Sequence, residues 1–80
     1  ASVLDLGCGE GWLSRALAET GCSVTGTDAT LRLIELAQQK GGADYIHCDY
    51  LQLTARLQNQ RFDCIVFNFS LFMQIWANIV

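Results

Sequence analysis

The 80-residue chain has no proline, and 51% of its residues are hydrophobic. That combination argues against a disordered segment and suits an α/β core. No apolar run approaches the ~20 residues of a membrane span, and no signal-peptide pattern precedes the first strand. Cationic residues are few: five Lys and Arg stand against eight Asp and Glu, for a formal charge of −3. The charges are dispersed and form no basic stripe, so this segment carries no electrostatic footprint for nucleic acid or an anionic membrane. The four cysteines (Cys8, Cys22, Cys48 and Cys64) form no C-x-x-C pair and have no histidine cluster nearby. Metal and disulfide readings are therefore poor, and no metal ligands are assigned. The cysteines read as small apolar residues in a reducing, cytoplasmic compartment. The length allows one domain, spanning residues 1–80, which buries about two-thirds of its unfolded surface. The chain begins directly on a core strand pattern, so an N-terminal segment is expected to be missing.

What is present is concentrated near the start, in Val3, Leu4, Asp5, Leu6, Gly7, Cys8, Gly9, Glu10 and Gly11. The stretch Ser2–Leu6 reads as a short buried strand, followed by a glycine-rich turn and a helix from about Trp12. Three glycines at alternate positions let the backbone turn sharply and approach a ligand without Cβ atoms intervening. The N–H groups opening the helix are expected to face the space above the strand end, where negative charge is favoured. Asp5 does not suit a phosphate cradle, because it would repel a pyrophosphate. It suits a ligand with a positive group.

Along the chain, residues 12–20 have helical periodicity, with Leu13, Ala16 and Leu17 on one face and Ser14, Arg15 and Glu19 toward water. Gly21 sits where a helix-ending glycine belongs. Residues 22–27 read as a second strand, in which Gly26 predicts a close approach to the backbone. Asp28 then stands at a strand end, placed either to accept bonds from both hydroxyls of a ribose or to cap the next helix. Thr30 is equally placed to be that cap, which favours the ribose role. Residues 31–39 form a second helix with Leu33, Ile34 and Ala37 inward, ended by Gly41 and Gly42. Residues 43–47 form a third strand, leading to Cys48, Asp49 and Tyr50. His47 reads as a structural or edge residue. The apolar run Cys64–Phe67 reads as a fourth strand covered on both faces. Residues 71–80 place Leu71, Phe72, Ile75, Trp76 and Ile79 roughly along one helix face.

The run from Leu4 to Gly11 resembles the first motif of the class I S-adenosylmethionine-dependent methyltransferases. Its spacing departs from the dinucleotide fingerprint G-x-G-x-x-G, which would need glycine at position 12, where this chain has Trp12. A nicotinamide-dependent oxidoreductase is thereby disfavoured. A binding module without activity, or an ordinary β–α turn without a ligand, remains an alternative. The resemblance covers residues 3–70, the cofactor-binding half of a usual family domain. It implies a Rossmann-like three-layer α/β sandwich with a parallel sheet in the order 3-2-1-4, cut before the family's remaining strands, and with right-handed crossovers placing helices on both faces. The expected cofactor is S-adenosylmethionine, with S-adenosylhomocysteine as product.

The candidate cofactor-binding residues are Asp5, Gly7, Cys8, Gly9, Glu10, Gly11, Asp28, Ala29, Asp49, Tyr50 and Asn68. By resemblance, Asp49 accepts from the adenine amino group, or caps residues 51–57, or does both. Tyr50 offers its N–H and ring. Asn68 contacts the methionine ammonium or orients a substrate, while Phe69 and Phe72 line the mouth or pack in the core. No catalytic residue is assigned. The implied reaction is in-line methyl transfer to an unidentified acceptor, with no membrane or nucleic-acid partner signalled here. The remainder of the parent chain is expected to pack on the fourth strand, and the 80 residues alone to be a poor catalyst.

Overall fold

A computed structural model describes residues 1–49, 52–53, 55 and 60–68. The chain runs β1 (Ser2–Leu6), α1 (Trp12–Glu19), β2 (Ser23–Asp28), α2 (Leu31–Lys40), β3 (Asp44–His47) and β4 (Cys64–Phe67). These strands form one sheet in the order β3-β2-β1-β4, with every pairing parallel. The expected order and strand direction are both met.

Register sets where the functional groups lie. Asp5 in β1 is level with Gly26 in β2 and Val66 in β4, and Gly26 is level with Tyr45 in β3. β1 is buried from Val3 to Leu6, as a central strand must be. Its start is tied to β4 by Ser2, whose backbone N–H donates to Asp63 Oδ2 at 2.8 Å. This bond and the Ser2 hydroxyl hold the Asp63 carboxyl below its ordinary value.

Both helices lie on one face of the sheet. Cys8, Ile34, Ala37 and Tyr45 form a single buried cluster there, and Gly26 meets the same face. Two successive crossovers in the same direction and of the same hand must deposit their helices on the same side. Helices on both faces therefore depend on the β3–β4 crossover, where residues 52, 53 and 55 are helical and 50–51, 54 and 56–59 lie outside those described. Phe69 and residues 71–80 also lie outside them.

Two expectations are corrected. Ser14 does not face water; it is the one buried residue of α1, and Ala16 is exposed. The helix is turned so that a hydroxyl meets a buried acid, a partner that apolar periodicity does not register. Cys64–Phe67 is not covered on both faces, since Ile65 and Phe67 are 51% and 55% exposed. Among the described residues β4 pairs only with β1, so it is an edge strand.

Helix α2 buries Ile34 and Ala37 as read, with Leu33 half-buried and Gly41 closing the helix at φ 74°. Gly21 follows α1 at φ 96°, the left-handed conformation that releases a chain from a helix. The predicted close approach at Gly26 is present. A Cβ there would lie 3.0 Å from Cys8 Cβ, Cys8 Sγ and Ser14 Oγ, so the missing side chain lets the glycine turn and the first turn of α1 settle onto β2.

Candidate functional site

The turn after β1 is built by its own backbone. Gly7, Gly9 and Gly11 all have positive φ, at 74°, 59° and 93°. The Gly7 and Cys8 N–H groups both donate to the Thr27 carbonyl, at 2.8 and 2.9 Å. Gly11 N–H donates to the Cys8 carbonyl at 3.0 Å, and Gly9 N–H donates to Asp28 Oδ2 at 2.9 Å. Four amides of the turn thus bond within the protein and are not offered to a phosphate. Thr27 takes two of them, Asp28 a third and the Cys8 carbonyl the fourth.

Asp28 closes β2 and holds two backbone amides. Its Oδ2 accepts from Gly9, and its Oδ1 accepts from Thr30 N–H at 2.8 Å. Thr30, not Asp28, is the N-cap of α2, although its side chain makes no capping bond. Each carboxylate oxygen has two lone-pair sites, so two ribose hydroxyls can still be accepted. The same two amides fix the plane of the carboxylate before any ligand arrives.

A cavity of about 280 Å³ opens at the carboxyl ends of the strands. Gly7, Asp28, Ala29 and Asp49 line it, joined by Leu33 and Leu53, which add apolar wall. A lining that combines carboxylates with leucine side chains suits a ribose joined to a flat heterocycle. Asp49 serves twice: it lines the cavity, and its Oδ1 accepts from Gln52 N–H at 2.9 Å, capping the helical turn. Tyr50 lies outside the described residues. His47 has the structural role read for it, with Nε2 3.0 Å from the Ala29 carbonyl oxygen. That contact requires a proton on Nε2 and steadies the loop after Asp28.

The remaining candidates separate into two groups. Asp5 and Asn68 are buried at the adjoining ends of β1 and β4, and Asn68 N–H donates to the Leu6 carbonyl at 2.7 Å. Asp5 is fully buried; its Oδ2 accepts from Ser14 Oγ at 2.7 Å, while Oδ1 has no hydrogen-bond partner among the described residues. Burial pushes its carboxyl above the ordinary value, the Ser14 and Asn68 side chains oppose this, and the Asp28 charge adds to it. Asn68 is thus close enough to favour the carboxylate, although it makes no well-formed bond to Oδ1. Ser14 is the polar partner that the sequence reading missed. Only the combination of an acid at the strand end and a hydroxyl in the first helical turn hinted at it.

Glu10, Gly11 and Cys8 have structural partners. Glu10 Oε2 bonds Arg15 at 2.8 Å and Lys40 at 2.5 Å, and these cations hold its carboxyl below the ordinary value. Its carboxylate therefore braces the turn against α1 and α2. Gly11 lies against Tyr45, whose hydroxyl donates to the Gly41 carbonyl at 2.8 Å. Cys8 is buried, and burial with the nearby Asp5 and Asp28 charges pushes its thiol up to about 12. It is a packing residue and not a nucleophile at neutral pH.

The raised Asp5 carboxyl leads to a pH prediction. An acid with an elevated folded-state value holds more protons folded than unfolded between the two values. Its contribution to stability is therefore largest in acid and declines as pH rises through the folded value. Relative to the wild type, Asp5→Asn should gain stability as pH rises from about 4, the ordinary carboxylate value, toward neutrality. Urea melts of both proteins across that range provide the check. A pH-independent difference would mean that Asp5 does not titrate abnormally.

Parallel strands in this order, with a glycine turn after β1 and acids at the ends of β1, β2 and just past β3, define a Rossmann-like α/β sheet. More particularly, the chain belongs to the methyltransferase-domain family of class I S-adenosylmethionine-dependent enzymes, whose family model, described as "Methyltransferase domain", matches residues 3–79. The ubiquinone biosynthesis O-methyltransferase of Actinobacillus pleuropneumoniae serotype 5b is 43% identical over 60 residues, covering 72% of this chain and 26% of that protein. The enzyme of the same name from Pseudomonas aeruginosa strain LESB58 is 48% identical over 56 residues, 66% of this chain and 23% of that one. Among solved structures, magnesium protoporphyrin IX methyltransferase from Synechocystis PCC 6803, with bound S-adenosylmethionine, superposes with TM-score 0.68 at 32% identity. That match covers 81% of this chain and 33% of the other. A TehB-like S-adenosylmethionine-dependent methyltransferase from Corynebacterium glutamicum gives 0.66 at 33% identity over 84% of this chain and 36% of its own. The chain spans about a quarter of the length of the curated relatives it matches.

Proposed function

We propose that this chain binds S-adenosylmethionine and serves methyl transfer to a nucleophilic acceptor. The observation that carries the reading is the cavity at the strand ends, lined by Asp28 and Asp49 together with Leu33 and Leu53. Asp28 accepts the ribose hydroxyls, and Asp49 accepts from the adenine amino group. Asp5 Oδ1, a buried acceptor without a protein partner, fits the ammonium of the amino-acid end, with Asn68 beside it. The residues therefore fit the cofactor. Bound S-adenosylmethionine supplies an activated methyl group on a sulfonium, so the work left to the protein is alignment of the acceptor in line with that bond. No general base is assigned among the described residues.

The first acceptor class to test is an oxygen nucleophile, because the curated relatives at 43% and 48% identity are named O-methyltransferases. We extend the proposal to a further segment of protein packing on the β4 edge, supported by the exposure of Ile65 and Phe67. A reducing, cytoplasmic setting belongs to the same reading; it rests on Cys8 and Cys48, thiols buried among core residues.

Calorimetry tests the cofactor. S-adenosylhomocysteine should bind and NADH should not, because the turn amides a pyrophosphate would need are already bonded to Thr27 and Asp28. NADH binding more tightly than S-adenosylhomocysteine would overturn the assignment.

A further inference from the structure

We propose that Ser14 is a positioning residue for the amino-acid end of the cofactor: its hydroxyl holds Asp5 Oδ2 so that Oδ1 is presented to the ammonium. The proposal rests on the S-adenosylmethionine reading above.

Serine in a helix usually faces water or bonds to its own backbone. Ser14 does neither, since it is fully buried and donates to Asp5 Oδ2 at 2.7 Å. Packing alone would be met by alanine, without a hydroxyl to desolvate. The sheet also makes room for this hydroxyl, because a Cβ at Gly26 would lie 3.0 Å from Ser14 Oγ. Three positions on three elements thus cooperate: β2 omits a side chain, α1 comes close, and the acid of β1 gains a fixed donor.

The result is an asymmetric carboxylate. One oxygen is held by Ser14, and the other is buried with no partner among the described residues. An orphaned buried acceptor calls for an explanation, and a positively charged ligand group supplies one. The other groups bearing on Asp5 are Asn68, which favours its ionised form, and Asp28, whose charge opposes it. Removing the Ser14 bond would let the carboxylate rotate and would favour its protonation, and both changes weaken its hold on an ammonium.

The test uses the full-length protein and two probes, S-adenosylhomocysteine and 5′-methylthioadenosine, which keeps the nucleoside and sulfur but lacks the amino-acid chain. Ser14→Ala should weaken S-adenosylhomocysteine binding roughly tenfold or more, the effect of one hydrogen bond to a charged group. Binding of 5′-methylthioadenosine should stay within about twofold of wild type, as expected for a change felt only at the ammonium end. Asp5→Asn should show the same selectivity. The double variant should bind S-adenosylhomocysteine no worse than Asp5→Asn, because Ser14 acts through Asp5. Equal loss of both probes, failure of Ser14→Ala to fold, or additive losses in the double variant would assign Ser14 to packing and overturn the proposal. If the wild-type protein bound neither probe, the cofactor reading itself would fall, and this inference with it.

Discussion

Asp28→Ala is expected to raise the Kd for S-adenosylhomocysteine about a hundredfold and to lower the melting temperature at the same time. The binding loss follows from two charge-assisted hydrogen bonds to ribose hydroxyls, together on the order of 3 kcal/mol. The stability loss follows from the two amides that Asp28 already holds. Gly9 N–H and Thr30 N–H both lose their acceptor, and each such lost hydrogen bond costs about 1 kcal/mol. The sequence alone offered a choice between ribose ligand and helix cap. The structure combines binding with bracing, because the residue anchors the glycine turn through Gly9 and the start of α2 through Thr30. Isothermal calorimetry and thermal melts on the same variant separate the two contributions. An unchanged Kd with a lowered melting temperature would leave Asp28 only its bracing role.

Gly11→Ala should destabilise the protein well beyond the effect of Gly9→Ala. Gly11 has φ 93°, which an L side chain rarely adopts. Its new Cβ would also lie 2.7 Å from Tyr45 Oη and 2.8 and 2.9 Å from Tyr45 Cε1 and Cζ. Tyr45 is buried and bonded to the Gly41 carbonyl, so it cannot retreat without breaking that bond. Backbone strain of roughly 1–2 kcal/mol and overpacking of roughly 1–3 kcal/mol together give about 2–5 kcal/mol. Gly9→Ala is the control. Gly9 also has positive φ, but a Cβ there meets nothing within 4 Å, so only the strain should be felt. Chemical denaturation of the two variants decides the matter. Equal losses would show that the contact with Tyr45 does not limit position 11.

These results bear on how the three glycines divide their work. Gly7 lines the cavity, Gly9 hands its amide to Asp28, and Gly11 makes room for an aromatic ring from β3. A motif read as one ligand-approach device is thus partly a packing device. Glu10, inside the same motif, turns its carboxylate to Arg15 and Lys40.

The sequence by itself determined the order of elements and the placement of acids at the strand ends. Those features are local: apolar runs of four or five residues, helix periodicity, and glycines where the backbone must take positive φ. Gly26 shows how far such reading extends, for the missing side chain announced a close approach without naming what approached. Only the tertiary structure decided the partners. Ser14 was assigned to water because periodicity ranks residues by apolarity, and a hydroxyl is buried only if another element brings it an acceptor. That acceptor is Asp5, nine positions away and on a strand. The β4 strand was read as covered on both faces because an apolar run reports the preference of the strand itself. Cover must come from other elements, and the described ones leave Ile65 and Phe67 about half exposed. Asp28 and Gly9 are 19 positions apart, and it is the pairing of β1 with β2 that brings the carboxylate to the amide. Hydrogen-bond partners across elements depend on register and helix rotation, which are set by packing the whole sheet at once.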